Sequence, residues 1–280
     1  MWAKALGAHI SPVRATTVTR LFIAGCLAAY AVTPLSTLGA ADAFGLFLNR
    51  VVKLALIDAV KVSKACNGDR LCAARLIVET LGPPAQLEAV THPDTDSIRR
   101  VTSQSSISDF RAIGPSTYIM NLDRFGRKLT EEIQAHFKST SGITHLILDL
   151  RKNQGGDFDR MRRAAALLTG PVERAIELNG NPVDIPPPTR QLAIPRLTVL
   201  IGPRTASSAE ILTVLLRKYA DADIFGTRSV GKDYLYRMVP VTQDWRLLLP
   251  AEQIVVPGET LTGGVRPDGP TPKTLARQLN

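Results

Sequence analysis

Short apolar runs alternate with amphipathic stretches in the second half of the chain. Four runs predict strands: STYIMNL (116–122), HLILDL (145–150), LTVLIG (197–202) and DIFG (223–226). The last three are almost continuously apolar, as expected for strands that are buried on both faces of a parallel sheet. The pattern therefore indicates a sheet at the centre of this half of the chain.

Apolar residues at helical spacing separate these strands. They predict helices over 127–138, over 159–168 and from the RTASS loop to about residue 220. Strands and helices in alternation are typical of crossover connections on a parallel sheet. WRLLL and QIVV, within 234–256, predict additional β-structure. The fold class that follows is α/β.

A small helical hairpin is predicted before this core. Residues 46–64 carry apolar side chains at helical spacing, and 71–81 form a second helix that Gly82–Pro83–Pro84 stops. The polar residues that follow predict a linker. The expected divisions are an export segment (1–43), the hairpin (44–85), a linker (86–112) and the core (113–280).

The export segment has the layout of a secretory signal peptide. Lys4, Arg14 and Arg20 precede an apolar run at 21–32, and small residues follow that run. The run is about 12 residues long, which is short for a membrane-spanning helix. We predict an exported protein, periplasmic or extracellular. The alternative is an uncleaved signal that anchors the protein to the membrane through residues 21–35.

Composition and charge exclude one class of partner. The chain has 45% hydrophobic and 21% charged residues, which is typical of a globular protein. Its formal charge is +9, but the basic residues are scattered and only 5% of residues are aromatic. Nucleic-acid binding needs a basic stripe with rings on which bases stack. We therefore expect no nucleic-acid partner.

Two cysteines, Cys66 and Cys72, follow the export segment. Their spacing fits neither a CxxC redox pair nor a zinc site. An exported chain meets an oxidising compartment, so a local disulfide across the turn of the hairpin is the leading interpretation. Two unpaired buried cysteines are the alternative.

Three loops follow the carboxyl ends of the predicted strands, where ligands bind in parallel sheets. RKNQGGD (151–157) offers main-chain N–H groups to an anion. RTASSAE (204–210) offers hydroxyl groups at a helix N-terminus, where the helix dipole favours negative charge. SVGK (229–232) presents Lys232 from a glycine turn. Together the loops indicate a nucleophile, an anion cradle and a base.

A nucleophilic serine needs a general base. His92, His136 and His145 have no matching acid in an evident site loop, so a serine–histidine arrangement is disfavoured. A lysine takes this role where burial favours its neutral form, and Lys232 is the candidate by its placement. His92 with the neighbouring Asp94 and Asp96 is interpreted as a solvated turn, because no second cluster of metal ligands accompanies it. We expect no metal site.

Four motifs stand in order along the core: LDLRKNQGG (148–156), SSAE (207–210), a Gly–Lys turn 25 residues after Ser207, and GVRPD (264–268). In sequence and spacing they resemble the C-terminal processing peptidases, also called tail-specific proteases. That family has a Ser–Lys dyad on a crotonase-like core. The resemblance covers roughly residues 113–270, and it implies an endopeptidase that acts on peptides or unfolded proteins without a cofactor.

The resemblance also implies roles for single residues. Ser207 would be the nucleophile and Lys232 the general base, while the N–H groups of Ser208 and of Gly155 or Gly156 would form the oxyanion hole. The supporting residues would be Arg151 and Asn153, which hold the glycine turn, Glu210, which braces the nucleophile helix, and Tyr236. Ser207 and Glu210 also match a capping box, which by itself would explain that pair.

Some positions depart from the family pattern. Lys218 stands where the family often has an acidic residue, and Asp233 stands where it usually has a glycine. Tyr236 stands where the family often has a glutamine that orients the lysine. A tyrosine hydroxyl can still hydrogen-bond an amine. The PDZ domain that is common in the family is also not evident. The alternative function is a catalytically impaired, peptidase-like protein that binds peptides or small ligands, and a thioester-directed enzyme on the same core ranks below it.

Overall fold

The computed structural model describes residues 59–81, 85–89 and 105–279. The predicted export segment and the start of the first predicted helix lie outside these residues. The helices are α1 (Ala59–Cys66), α2 (Arg70–Leu81), α3 (Leu129–Ser139), α4 (Phe158–Thr169), α5 (Ser208–Ala220) and α6 (Lys273–Leu279). Within the described ranges, no helix has the length and apolarity needed to cross a membrane.

The strands form two sheets. They are β1 (Gln86–Ala89), β2 (Ile107–Ala112), β3 (Thr117–Leu122), β4 (His145–Asp149), β5 (Val172–Leu178), β6 (Asn181–Ile185), β7 (Arg196–Ile201), β8 (Asp223–Gly226), β9 (Tyr234–Pro240) and β10 (Trp245–Val255). The first sheet has the order β2-β3-β4-β7-β8. β2 is antiparallel to β3, and the other three pairs are parallel. The predicted α/β class is therefore confirmed.

Both faces of the first sheet are buried. Leu148 and Val199 belong to a core that α4 and α5 cover on one face. Ile147 and Leu200 point to the other face, where they pack with Leu275 of α6. This double burial explains why β4 and β7 are almost continuously apolar in the sequence.

The second sheet is built around the long strand β10. This strand pairs with β9 along most of its length, with β1 at one end and with β5 at the other, and β5 pairs with β6. The α1–α2 hairpin packs on β9 and β10, with Ala74 and Ile77 against Val239, Leu247 and Leu249. The hairpin therefore covers the sheet that directly follows the SVGK loop.

A disulfide joins Cys66 at the end of α1 to Cys72 in the first turn of α2. The two residues bracket the tight turn between the helices, in which Asn67 and Gly68 have positive φ angles of 43° and 86°. The Leu71 N–H donates a hydrogen bond to Asp69 Oδ1 (2.8 Å), which caps the start of α2. The turn is thus held by a covalent bond and a local cap.

Strands also occur where the sequence predicted none. β1 and β2 lie at the two ends of the segment 86–112, which the sequence analysis interpreted as a linker, and the β5–β6 hairpin lies in a polar, proline-rich stretch before Pro195. β1, β2 and β6 are edge strands of their sheets. Buried and exposed residues do not alternate in these three strands, so the sequence lacks the pattern that marks a half-buried strand.

Replacing Cys66 and Cys72 together with serine should lower the free energy of unfolding of the hairpin by about 2 kcal/mol, because the disulfide closes a short loop in the unfolded chain. Thermal unfolding followed by circular dichroism measures the shift. Dithiothreitol should produce the same shift in the wild type and none in the double variant. Equal melting temperatures for the wild type and the double variant, each with and without dithiothreitol, would contradict a stabilising disulfide.

Candidate active site

The loops that follow β4 and β7 lie side by side at one edge of the first sheet. Asp149 of β4 is paired with Leu200 of β7, so the chain leaves both strands at the same level. Thr205 joins the two loops, because its hydroxyl donates to the Leu150 carbonyl oxygen (2.8 Å) and accepts from the Gly202 N–H (2.9 Å). Two of the three predicted site loops are thus in direct contact.

Ser207 is the N-cap residue of α5 and has a strained backbone. Its φ of 54° and ψ of −124° lie in a region that residues with a Cβ rarely adopt. Strain of this kind is concentrated at functional sites. The Ser207 side chain faces the Glu210 N–H in a capping-box arrangement, but that N–H donates to the Ser207 carbonyl oxygen (2.8 Å) and leaves the hydroxyl without a cap hydrogen bond.

Glu210 ties the loop 204–210, called the nucleophile loop after its predicted role, to the loop 229–232, called the lysine loop. Its carboxylate is fully buried (0% exposed) and accepts four hydrogen bonds. Oε2 accepts from the N–H groups of Ser207 (2.7 Å) and Lys232 (2.8 Å). Oε1 accepts from the Ser229 hydroxyl and the Gly231 N–H, both at 2.5 Å. Four donors replace the water that this buried charge has lost.

The GVRPD motif holds the lysine loop from the other side. The Ser229 hydroxyl accepts from the Val265 N–H at 2.7 Å while it donates to Glu210. Gly231 lies so close to Gly264 that a Cβ on Gly231 would be 2.5 Å from the Gly264 nitrogen. The motif therefore fixes the position of the turn that carries Lys232.

Asn153 organises the glycine turn after β4. Its side-chain amide donates to the Leu122 carbonyl oxygen (3.0 Å), its side-chain oxygen accepts from the Gly155 N–H (2.8 Å), and its carbonyl oxygen accepts from the Ala206 N–H (3.1 Å). Asn153 thus holds the turn as expected. However, the Gly155 N–H, one of the three expected oxyanion donors, is occupied by Asn153 and is not free for a substrate oxygen.

The glycine turn is pressed against the nucleophile loop. A Cβ on Gly155, whose φ is +98°, would lie 2.7 Å from the Ala206 carbonyl oxygen and 2.9 Å from Ser207 Cβ. The Ser208 hydroxyl donates to the Gly156 carbonyl oxygen at 2.9 Å. The Ser208 N–H has no acceptor among the described residues. This N–H is therefore free at the start of α5, beside the Ser207 hydroxyl.

Ser207 and Lys232 are near neighbours through their main chains, since both N–H groups bind the same oxygen of Glu210. Both residues are half-buried. Within the described ranges, no hydrogen bond joins the Ser207 hydroxyl to the Lys232 amine, and the amine hydrogen-bonds no other residue. Catalytic hydrogen bonds are often long before substrate binds. A dyad of these two residues would require the amine to approach the hydroxyl when substrate is bound.

The positions that depart from the family pattern have other contacts. The Asp233 carboxylate accepts from the Thr262 hydroxyl (2.6 Å) and forms no ion pair with Lys232. Tyr236 lies in β9 opposite Pro250, and burial, with Asp233 and Tyr234 nearby, raises the pKa of its hydroxyl. It makes no hydrogen bond with the amine of the site lysine in the described structure.

Arg151 acts on β4 rather than on the glycines. Its guanidinium forms an ion pair with Asp149, with an Nη2–Oδ2 distance of 2.6 Å, and this hydrogen bond raises the pKa of Arg151. Its N–H also donates to Asp149 (3.0 Å). Arg151 therefore fixes the main chain at the point where it leaves β4, just before the glycine turn that Asn153 holds.

The described histidines lie away from Ser207. His145 begins β4, at the opposite end of the strand from the site, and hydrogen-bonds the Thr198 hydroxyl at 2.9 Å. Burial lowers the pKa of His145, and the positive charge of Arg196 lowers it further. His136 packs on the Phe110 ring. No group of three metal-ligand side chains occurs among the described residues, and His92, Asp94 and Asp96 lie outside them.

Two residues of the site were missed in the sequence. They are Thr205, for which the sequence predicts no role, and Ser229, which it predicts only as part of a turn. Both are buried hydroxyl residues that bridge loops distant in the sequence. Their position at the ends of buried strands was the one available signal, because a single loop hydroxyl produces no periodic pattern.

A parallel α/β core with a strained serine at a helix start and a lysine turn beside it is the arrangement of a serine hydrolase. The sequence profile of Peptidase family S41 matches residues 116–271, which is more than half of the chain. The match includes the glycine turn, the nucleophile loop, the lysine loop and the GVRPD motif. The chain belongs to peptidase family S41.

Individual relatives are distant. A probable CtpA-like serine protease of Staphylococcus epidermidis is 23% identical over 160 residues, which cover 54% of this chain and 32% of that protein. The chain thus matches about a third of the length of this curated relative. The structure of a lipoprotein from Streptococcus agalactiae is similar to this one, with a TM-score of 0.64 and 16% sequence identity. The alignment covers 89% of this chain and 96% of the lipoprotein chain. The structure of a putative peptidase from Parabacteroides merdae has a TM-score of 0.53 and 14% sequence identity to this chain. That alignment covers 86% of this chain and 93% of the peptidase chain.

Replacing Gly155 with alanine should destabilise the protein by about 3 kcal/mol, because the new Cβ adds overpacking to a strained φ. The same substitution should displace Ser207 and abolish turnover of a peptide substrate. Gly180→Ala is the matched control, since its φ is +79° but nothing lies within 4 Å of the new Cβ. It should cost only about 1 kcal/mol and keep activity. Equal effects of the two variants on activity would disprove the close approach.

Proposed function

We propose that this protein is an exported serine endopeptidase of the tail-processing type, in which Ser207 and Lys232 form the catalytic dyad. The observation that supports this proposal most directly is the shared acceptor. One oxygen of the buried Glu210 carboxylate receives the N–H groups of both residues, at 2.7 Å and 2.8 Å. A capping box alone would need only the first of these hydrogen bonds.

The proposed reaction begins with a peptide carbonyl placed between the two loops. The Lys232 amine takes the proton of the Ser207 hydroxyl while Ser207 Oγ attacks the carbonyl carbon. The amine then gives this proton to the leaving nitrogen, and the peptide bond breaks. Water, deprotonated by the same amine, attacks the acyl-enzyme. The ester bond to Ser207 Oγ then breaks, the amine returns the proton to Oγ, and the second product leaves. No step uses a metal or an organic cofactor.

The developing oxyanion would be held by main-chain N–H groups. The Ser208 N–H is the first donor, because it lies at the start of α5 and is not hydrogen-bonded within the described structure. We assign the second donor to Gly156, because the Gly155 N–H is already bound to Asn153. Removing one such donor typically lowers turnover by about 10²–10³-fold.

Export and substrate class belong to the same proposal. A signal segment at 1–43 would deliver the chain to an oxidising compartment, and the disulfide of the hairpin is the bond that such a compartment favours. The substrate would be a peptide or an unfolded protein, because the chain has to lie extended between two loops. We assign substrate recognition to the core and the hairpin that covers its second sheet.

A peptide-binding protein without turnover is the second candidate. It is favoured by one observation: no hydrogen bond joins the Ser207 hydroxyl to the Lys232 amine in the described structure. Covalent labelling separates the two functions. A fluorophosphonate should modify the hydroxyl of an activated serine, whereas a serine in a pure binding site should not react under any condition.

Ser207→Ala and Lys232→Ala should each lower the hydrolysis of an unfolded protein by about 10⁴-fold or more, because they remove the nucleophile and its base. Both should abolish fluorophosphonate labelling, which peptide mapping locates at Ser207 in the wild type. Ser139→Ala and Lys152→Ala are the matched controls, because both residues are exposed and lie outside the proposed dyad and oxyanion hole. Full activity in the Ser207 or Lys232 variant would exclude the dyad.

A further inference from the structure

Three exposed arginines lie on the loops around the candidate active site. Arg204 is in the nucleophile loop, Arg228 directly precedes the lysine loop, and Arg266 is in the GVRPD motif. In the part of the chain that the structure describes, none of the three forms an ion pair. The Arg228 guanidinium donates one long hydrogen bond, to the Gly263 carbonyl oxygen at 3.4 Å. No described carboxylate therefore neutralises these three positive charges.

Arg204 and Arg228 lie in neighbouring segments of main chain. Two hydrogen bonds join the segments 201–205 and 227–230, from the Thr227 N–H to the Ile201 carbonyl oxygen (3.2 Å) and from the Val230 N–H to the Thr205 carbonyl oxygen (3.0 Å). Arg204 is inside the first segment and Arg228 is inside the second, so each arginine lies between these two hydrogen bonds. The two residues are therefore held side by side.

The GVRPD motif lies on the other side of Arg228. The Ser229 N–H donates to the Val265 carbonyl oxygen (3.3 Å), and the Val265 N–H donates to the Ser229 hydroxyl (2.7 Å). Arg266 directly follows Val265, so Arg228 has Arg204 in the segment on one side and Arg266 in the segment on the other. We call these three arginines the arginine rim.

Two acids follow these segments in the sequence, and each is bound to other groups. Asp268 accepts from the Ile224 N–H (2.7 Å) and forms an ion pair with Arg217 (3.6 Å). Asp233 accepts from the Thr262 hydroxyl (2.6 Å) and forms no ion pair within the described ranges. Exposed charge that is not neutralised attracts oppositely charged ligands. The arginine rim therefore fits an anionic group that lies beside the site.

We propose that the arginine rim binds acidic side chains of the substrate that lie within about five residues of the scissile bond. This inference rests on the proposed function and names a substrate class for the same site, polypeptides with aspartate or glutamate near the cleaved bond. Ser207 follows Arg204 by three residues. An extended substrate advances about 3.3 Å per residue, so an acid a few residues from the cleaved bond reaches the rim. A guanidinium group binds a carboxylate through two parallel hydrogen bonds.

The first test measures binding without cleavage. In the background of Ser207→Ala, fluorescence anisotropy compares two labelled eight-residue Gly/Ser peptides with blocked ends, one with two aspartates and one with two asparagines at the same positions. The aspartate peptide should bind about fivefold more tightly, which is the ratio that two exposed ion pairs provide. High salt should weaken this preference, because it screens exposed charges. Arg204→Gln/Arg228→Gln/Arg266→Gln, the rim variant, should abolish the preference.

The matched control removes the same charge elsewhere. Arg75→Gln/Arg190→Gln/Arg277→Gln changes three exposed arginines outside the rim, and it should keep the preference for aspartate. Equal affinities for the two peptides, or binding of neither, would overturn the proposal. A preference that persists in the rim variant would also overturn it. Loss of the preference in both triple variants would reveal an effect of net charge alone and would equally overturn the rim.

The second test uses cleavage of dephosphorylated β-casein, an unfolded protein. Mass spectrometry should find aspartate or glutamate near bonds that the wild type cleaves more often than near bonds that it leaves intact. The rim variant should lose this enrichment and show a raised KM with an unchanged kcat, because the rim binds the ground state and the transition state alike. Enrichment that persists in the rim variant would overturn the rim. Absence of wild-type cleavage together with the expected binding preference would refute only the peptidase proposal.

Discussion

The buried carboxylate of Glu210 is the interaction on which the rest of the site depends. A fully buried charge is costly unless donors surround it, and here four donors come from two loops that are more than twenty residues apart in the chain. The cost of leaving this charge without its donors forces the lysine loop onto the nucleophile loop. The relative position of Ser207 and Lys232 is therefore set by main-chain atoms and does not depend on direct contact between their side chains.

The other elements of the site follow from this constraint. The GVRPD motif keeps the Ser229 hydroxyl in place by occupying its acceptor side. Asn153 and the close approach of Gly155 hold the glycine turn against the same helix start. The hairpin supports β9, which begins two residues after Lys232, and β10, which pairs with β9. The contacts that stabilise these loops are thus the same contacts that position the site residues. This explains why the fold tolerates a strained φ at Ser207.

The sequence predicted those parts of the structure that periodicity and motif spacing encode. The buried strands β4 and β7 and the helices that follow them were evident, because burial on both faces leaves an unbroken apolar run. The strands β1, β2 and β6 were not evident, because their apolar and polar residues do not alternate. The order of the motifs predicted that Glu210 supports the nucleophile helix. Its four hydrogen bonds could not be predicted, because they form only when loops distant in the sequence fold together. The occupied N–H of Gly155 and the bridging role of Thr205 depend on the same tertiary contacts.

Glu210→Gln tests the central claim most directly. Glutamine keeps the size of the side chain, but its NH₂ group cannot accept from two of the four donors, and each unsatisfied donor costs about 1–3 kcal/mol. The measurement is the rate of fluorophosphonate labelling at Ser207 together with the melting temperature, with the exposed Glu173→Gln as control. We expect slow or absent labelling and a lower melting temperature in the Glu210 variant alone. Labelling at the wild-type rate in Glu210→Gln would contradict the account.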